Sequence, residues 1–385
     1  MRILTVGDSC TGCSACRSAC PKGSISMLPD EEGFLFPNIE TEVCEKCAVC
    51  EKVCQALNLS EPKEWDREGY IAWNKDENIV RMSTSGGAFT AFAQAIFSMG
   101  GVVFGAIYNE GFTGVHHAMA FNMQELALQR KSKYVQSNTR DTFAQTEFML
   151  KQGIVVLYSG TPCQIDGLKR FLKGDYSNLF TCDFICHGVP SERIFEEHMS
   201  MLRQEYSSEI IDVDFRVKMN NLMNIRIKVE FKNNKLYVRR YGFDAYFKPF
   251  IKKLLQRKSC FGCQYDYMHS SDIIMGDVHK LERFMVDLKK TGEVSLVIIN
   301  SDKGKVLFDK IADNLKLFQL SNQDIVRYYF CEKNPDETVE ARNNFMKKVA
   351  ELGLHKASRK CLMHGSYWFY RILYFLKGIG KEKYK

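Results

Sequence analysis

Eight cysteines in the first 54 residues carry the most specific chemistry of the chain. Cys10, Cys13, Cys16 and Cys20 are spaced C-x2-C-x2-C-x3-C and followed by Pro21. Cys44, Cys47, Cys50 and Cys54 repeat that spacing, with Gln55 in the proline position. Three thiolates so close in sequence can hold three corners of a [4Fe–4S] cube, and the fourth cysteine of such a run serves the cube of the other run. One cluster is therefore expected on Cys10, Cys13, Cys16 and Cys54, and a second on Cys44, Cys47, Cys50 and Cys20. Zinc sites bring cysteines in separated pairs, and disulfide frameworks suit small secreted domains. Neither accounts for two four-cysteine runs in a chain of 385 residues.

Other reactive residues fall where strands end. Ser159-Gly160-Thr161-Pro162 leads into Cys163 at the start of a helix, a place that lowers a thiol pKa and suits a nucleophile or a metal ligand. Cys186-His187-Gly188 follows a second strand, and Cys260-Phe261-Gly262-Cys263 is a separate CxxC, read as a redox pair, half a zinc site or half a cluster site. With Cys163 and Cys186 it makes four ligands for a third cluster. Cys182, taken as out of step with Phe180 and Phe184 and so facing a neighbouring layer, can replace Cys186 in that set. His187 can donate a proton near neutral pH or simply hold its loop. Cys331 and Cys361 read as packing thiols. Ser83-Thr84-Ser85-Gly86-Gly87 opens a helix, where free N–H groups and the helix dipole suit a phosphate; an ordinary capped turn is the competing reading. Neither GxGxxG nor GxxxxGK[ST] is present, so no standard dinucleotide fingerprint or P-loop is indicated. Lys131 to Ser137, which includes Lys133, Tyr134 and Gln136, reads by itself as a solvated basic loop.

The elements that must hold these groups alternate strand and helix. Strands are expected at 70–73, 102–108, 154–158 and 179–185, and helices beginning near Phe89, at 141–151, through Leu172 and from about 192. Alternating strands at 210–217, 225–232 and 235–241 follow, the last two joined at Asn233-Asn234. A basic helix over 245–258 and a strand from Asp272 into the loop holding Gly276, Asp277 and His279 come next. Residues 59–68, polar and broken by Pro62, read as a linker. The fold class is thus a multidomain α+β/α/β chain. A small two-cluster domain over 1–58 precedes a mixed α/β domain over 66–330 and a helical basic tail over 331–385.

Composition is that of a globular protein, and no stretch approaches the 18 apolar residues of a membrane span. No apolar run follows Met1 to Gly7, so no signal peptide is expected. Fifteen cysteines without one point to a reducing cytoplasm. The formal charge of +7 shrinks to about +3 with two clusters at about −2 each, so no nucleic-acid partner is expected. The aromatic tail from Cys361 to Leu376 allows a peripheral membrane contact or a helix docked on its own domain.

The N-terminal stretch resembles a bacterial-type two-cluster ferredoxin. Ser83–Gly87, Lys133–Ser137, Gly160–Gln164, Cys186–Ser191, Cys260–Cys263 and Asp272 to Val278 then occur in the order seen in the family of coenzyme F420 hydrogenase/dehydrogenase beta subunits, which the chain resembles from about 65 to 300. That resemblance implies an FAD-binding domain, with Ser83, Thr84, Ser85, Gly86, Gly87, Lys133, Tyr134, Gln136, Ser137 and Asp277 at the cofactor, and strengthens the third cluster. It implies an oxidoreductase passing electrons from clusters through FAD to a small-molecule two-electron acceptor, with a redox partner protein. Bacterial relatives sit among polysaccharide-synthesis functions. An electron-transfer adaptor without its own substrate is the alternative.

Overall fold

The computed structural model describes residues 6–59, 67–217, 226–266, 268–278, 294–329 and 338–363. The N-terminal module is small. Helices α1 (Ala15–Ser18) and α2 (Val49–Lys52) flank an antiparallel hairpin of β1 (Ile25–Pro29) and β2 (Leu35–Ile39). The cysteine repeat is also a conformational repeat. Gly12 and Lys46 hold equivalent positions at φ +69° and +55°, and Ser14 and Ala48 do so at +65° and +58°. Two left-handed residues per loop curl each run around its hollow.

The large domain is an eight-stranded mixed sheet. After β3 (Glu68–Asn74) come α3 (Glu77–Arg81), α4 (Ala88–Ser98), β4 (Val102–Tyr108), β5 (Val115–Ala120), α5 (Met123–Gln129) and α6 (Thr142–Lys151). Then follow β6 (Val156–Ser159), α7 (Pro162–Leu172), β7 (Leu179–Phe184) and α8 (Glu192–Tyr206). β8 (Ile210–Asp214), β9 (Arg226–Phe231) and β10 (Leu236–Arg240) form a separate antiparallel sheet, with Asn234 at φ +63° in the hairpin turn. The chain returns through α9 (Phe247–Ile251) to β11 (Ile273–Asp277), β12 (Ser295–Ile299), α10 (Asp302–Asp309), β13 (Leu315–Gln319) and α11 (Asn322–Tyr329). The large sheet runs β13-β3-β12-β11-β7-β6-β4-β5, with β4, β6, β7 and β11 parallel and the flanking strands antiparallel.

Strand alternation splits the core into two layers. Val103, Leu157, Phe180 and Cys182 face α4 and α10, whereas Val102, Phe104, Val156, Tyr158 and Leu179 face α6 and α7. Phe180 and Cys182, two residues apart, therefore share a face, which corrects the out-of-step reading of Cys182. The N-terminal module seats on the second layer, with Ala15 and Val53 packed among Ile165, Leu168 and Leu172 of α7.

One other expectation is revised. The basic helix over 245–258 is only α9, because Lys253 turns left-handed at φ +54° and Leu254 N–H returns to the Pro249 carbonyl. Toward the C-terminal end, within the stretch expected as a helical basic tail, lie α12 (Val339–Leu352) and α13 (Leu354–Leu362). Phe345, Met346, Val349, Leu354 and Ala357 complete the core of the second sheet with α8 and α9. The linker over 60–66, Cys331, His279 and the membrane-contact reading beyond Met363 lie outside the described residues. Among the described residues no helix is long and apolar enough to cross a membrane.

Candidate functional site

Cys10, Cys13, Cys16 and Cys54 line one hollow, closed by Met27 and Pro37. Cys20, Cys44, Cys47 and Cys50 line the other, floored by Ile25 and Ile39. Among the described residues no three His, Cys, Asp or Glu groups close on a point as a single metal ion requires. The thiols surround a space instead, which suits a cube with a sulfur ligand at each iron. Burial pushes the Cys16 thiol up to about 12, with Cys10 and Cys54 adding to the rise. Burial also raises Cys20, but the Ser24 hydroxyl at 3.2 Å and the N–H groups of Lys22, Ser24 and Gly23 outweigh it and leave that thiol below its usual value. Cys47 is the exposed member of the second group.

Cys163, Cys186, Cys260 and Cys263 come together where β6 and β7 end. Cys186 senses the charges of Cys260, Cys163 and Cys263, and Cys163 senses that of Cys263. Gly188, at φ +94°, brings the Cys186 loop against Cys260; a Cβ there would lie 3.2 Å from that of Cys260. Cys182 is fully buried in the opposite layer, beside Asp183 and Asp272 and away from this group. The expectation that the helix N-terminus lowers the Cys163 pKa is not met. Burial pushes Cys163 and Cys263 up to about 12 and Cys260 up to about 11, and the Thr161 hydroxyl 3.1 Å from Cys163 Sγ does not offset it. As bare thiols these are poor nucleophiles, and a cationic core is what would hold them as thiolates.

The first and third groups are adjacent. Cys13 senses the charge of Cys163, and α7 presents a glycine to it: a Cβ on Gly167 would lie 2.9 Å from Cys13 Sγ. Tyr265, two residues past Cys263, places its hydroxyl 2.5 Å from both Asp166 Oδ2 and Gln55 Oε1. Gln55 in turn donates to Thr11 Oγ1 at 2.5 Å. The glutamine standing in the second proline position thus joins the module to the large domain.

The two halves of the expected cofactor site meet at one hydrogen bond, from Ser132 N–H to Thr84 Oγ1 at 2.9 Å. Ser83 Oγ donates to the Ile79 carbonyl, and Ser85 Oγ lies 3.0 Å from Ser295 Oγ. Gly86 is glycine for packing, since a Cβ would come 2.2 Å from the Ala72 carbonyl oxygen, and Gly87 takes φ +83° to start α4. No side chain caps α4. Nearby, Arg130 has its Nε buried without a hydrogen-bond partner, and burial lowers Lys133 to about 7. Tyr134 packs between Phe215, Phe247 and Phe250, with its hydroxyl near Arg216 and Asp277, which form an ion pair. Gln136 and Ser137 face elsewhere. Gln136 Nε2 donates to the Thr11 carbonyl at 2.9 Å, and Ser137 Oγ donates to His117 Nδ1 at 2.7 Å while His117 Nε2 donates to the Ser159 carbonyl. His187 is exposed beside Cys186.

Sequence reasoning passed over Arg257, Arg342 and Asp166. Both arginines are fully buried against the N-terminal module, and only the nearness of Arg257 to Cys260 in sequence hinted at its place.

A ferredoxin-like module with two cysteine-lined hollows, docked on a large α/β domain, defines an iron–sulfur electron-transfer protein. Residues 9–57 match the family described as 4Fe-4S dicluster domain, and residues 155–323 match the family described as the C terminus of the coenzyme F420 hydrogenase/dehydrogenase beta subunit. Over these residues the chain is similar to the coenzyme F420 hydrogenase/dehydrogenase beta subunits, with a dicluster ferredoxin match on its N-terminal side. It is similar to the Methanosarcina mazei F(420)H(2) dehydrogenase F subunit, 22% identical over 81% of this chain and 85% of that protein. An uncharacterized ferredoxin of Methanocaldococcus jannaschii is 29% identical over 17% of this chain and 90% of its own length. Among solved structures, a chain from the F420-reducing [NiFe] hydrogenase complex of Methanosarcina barkeri aligns with 15% identity and a TM-score of 0.43, covering 74% of this chain and 91% of that one.

Proposed function

We propose that this chain is an FAD-dependent iron–sulfur oxidoreductase that takes electrons from a protein partner and delivers them in pairs to a small-molecule acceptor. The observation that carries the reading is the contact between the Cys13 loop and α7, which seats the third cysteine group against the first at the carboxyl edge of the parallel strands. Iron–sulfur clusters supply one-electron carriers, and a flavin supplies the conversion to two-electron chemistry.

The residues would divide the work as follows. Cys10, Cys13, Cys16 and Cys54 hold one cluster; Cys20, Cys44, Cys47 and Cys50 hold the second; Cys163, Cys186, Cys260 and Cys263 hold a third. The exposed edge at Cys47 faces the partner. The uncapped start of α4, Thr84 and Ser132 bind the flavin diphosphate, with Arg130 and Lys133 balancing its charge. Tyr134 and Asp277 border that site, and His187 donates a proton from the Cys186 loop. Gln136 holds the Thr11 carbonyl beside the first cysteine group, and Ser137 is engaged by His117. The free cysteines suit a reducing, cytoplasmic setting.

The test is iron and flavin per chain on anaerobically purified protein. About twelve irons with one FAD is the expected result, at four per cluster. About eight irons and no flavin would leave an electron-relay adaptor and remove the enzyme reading.

A further inference from the structure

Two arginines, Arg257 and Arg342, are the largest fully buried side chains among the described residues, and both lie against Phe34 of the ferredoxin module. Their partners differ. Arg342 is neutralised: its Nη1 and Nη2 both donate to the Glu32 carboxylate, and its Nε donates to the Gln256 carbonyl at 2.9 Å. Arg257 has no carboxylate within ion-pair distance among the described residues. It donates from Nε to the Cys10 carbonyl at 2.5 Å, from Nη2 to the Leu35 carbonyl at 2.9 Å and from Nη1 to Gln136 Oε1 at 3.3 Å, and it stacks on Phe36 with 4.2 Å to the ring centroid. Every one of these partners is a neutral dipole or ring. A fully buried guanidinium with no counter-charge is strongly disfavoured, so something anionic must balance it in the working protein.

The candidates lie on both sides of it. Cys10 belongs to the first cysteine group, and the charge of Arg257 is felt by Cys163 and Cys260 of the third. A four-thiolate [4Fe–4S] site carries about −2 and becomes more negative on reduction. Gly12 leaves room for the arrangement, since a Cβ there would lie 2.9 Å from Arg257 Nη1. We propose that Arg257 is a positioning residue for electron transfer: the shared buried counter-cation of the Cys10 and Cys163/Cys260 sites, which favours the reduced form of both and couples docking of the ferredoxin module to their charge. This rests on the third-cluster reading given above.

The experiment compares full-length wild type, Arg257→Gln and Arg257→Lys, purified anaerobically. Iron per chain is measured first, and EPR-monitored redox titrations then give the reduced-to-oxidised ratio of the cluster signals at fixed potential. In Arg257→Gln that ratio falls at least tenfold for the first and third sites, a shift of about 59 mV for one electron. Arg257→Lys, which keeps the charge and loses the fork, stays near wild type. If the Gln variant loses iron and the Lys variant keeps it, the requirement for charge is again supported. Unchanged potentials in Arg257→Gln with full iron would overturn the proposal, as would equal losses in both variants, which mark a purely structural tie. About eight irons in wild type would remove the third-site reading and the bridging role with it, and the iron count alone separates that failure from the others.

Discussion

Gly167→Ala separates helix stability from the seating of the ferredoxin module. Gly167 lies in the interior of α7, where alanine in an open helix is more stable by about 1 kcal/mol. Here the new methyl meets Cys13 Sγ at 2.9 Å, Cys13 Cβ at 3.1 Å and Ala15 Cβ at 3.5 Å. Overpacking of that kind costs about 1–3 kcal/mol, because Cys13 is fixed by its loop and cannot swing aside. The net effect is a loss of about 0–2 kcal/mol, borne by the α7–Cys13 contact. Hydrogen exchange at the α7 amides reads this locally, with no need for two-state unfolding of a multidomain protein. Protection should stay level or fall by up to about 30-fold, and the Cys13 loop should lose protection with it. A rise of about fivefold at α7, the gain of an unhindered helix, with the Cys13 loop unchanged would refute the packing on which the adjacency of the two cysteine groups depends.

Replacing Cys163 with Ser should remove about four of about twelve irons, whereas Cys182→Ser should keep them all and cost about 1–3 kcal/mol by placing a hydroxyl in an apolar layer; iron analysis beside thermal denaturation checks both. Lys133 titrates near 7 in the free protein, so an anionic flavin should bind with uptake approaching one proton at pH 8 and more weakly as pH rises from 7. Calorimetry in buffers of different ionisation enthalpy measures the uptake, and Lys133→Met should abolish it. Burial lowers His117 to about 4, so between pH 6.5 and 4 the unfolded chain binds a proton that the folded chain does not. Stability must therefore fall as pH drops through that window, by on the order of 3 kcal/mol from His117, and the lowered His355 acts in the same direction. Denaturation midpoints against pH should show a shallower acid limb in His117→Gln.

The two ferredoxin hollows were legible because their ligands are local: spacing alone dictates which four cysteines share a hollow. Strand ends and helix starts were legible from apolar alternation, and they placed Cys163 and Cys186 on one edge of the sheet. Choosing between Cys182 and Cys186 needed only correct parity along β7, where Phe180 and Cys182 share a face. What stayed hidden depends on contacts between distant segments. Ser137 looked like a cofactor ligand and is satisfied by His117, because the loop folds back onto β5. Arg257 fell within the expected basic helix over 245–258, and nothing near it in sequence reports that Phe36 and the Cys10 carbonyl cover it. Burial, invisible to a helix-terminus argument, reversed the expected direction of the Cys163 pKa.

The order of strands in the large sheet bears on how the protein is made. β3, the first strand after the ferredoxin module, lies between β12 and β13, so its two neighbours are among the last strands to leave the ribosome. The ferredoxin hairpin and both of its cysteine hollows need nothing beyond residue 59 for their own enclosure. Contacts so far apart in sequence form slowly, because the intervening loop must close before they add any stability. Enclosure therefore follows chain order: the first two cysteine hollows are lined wholly by residues up to 59, and the Cys163 group can close only after Cys260 and Cys263 have emerged.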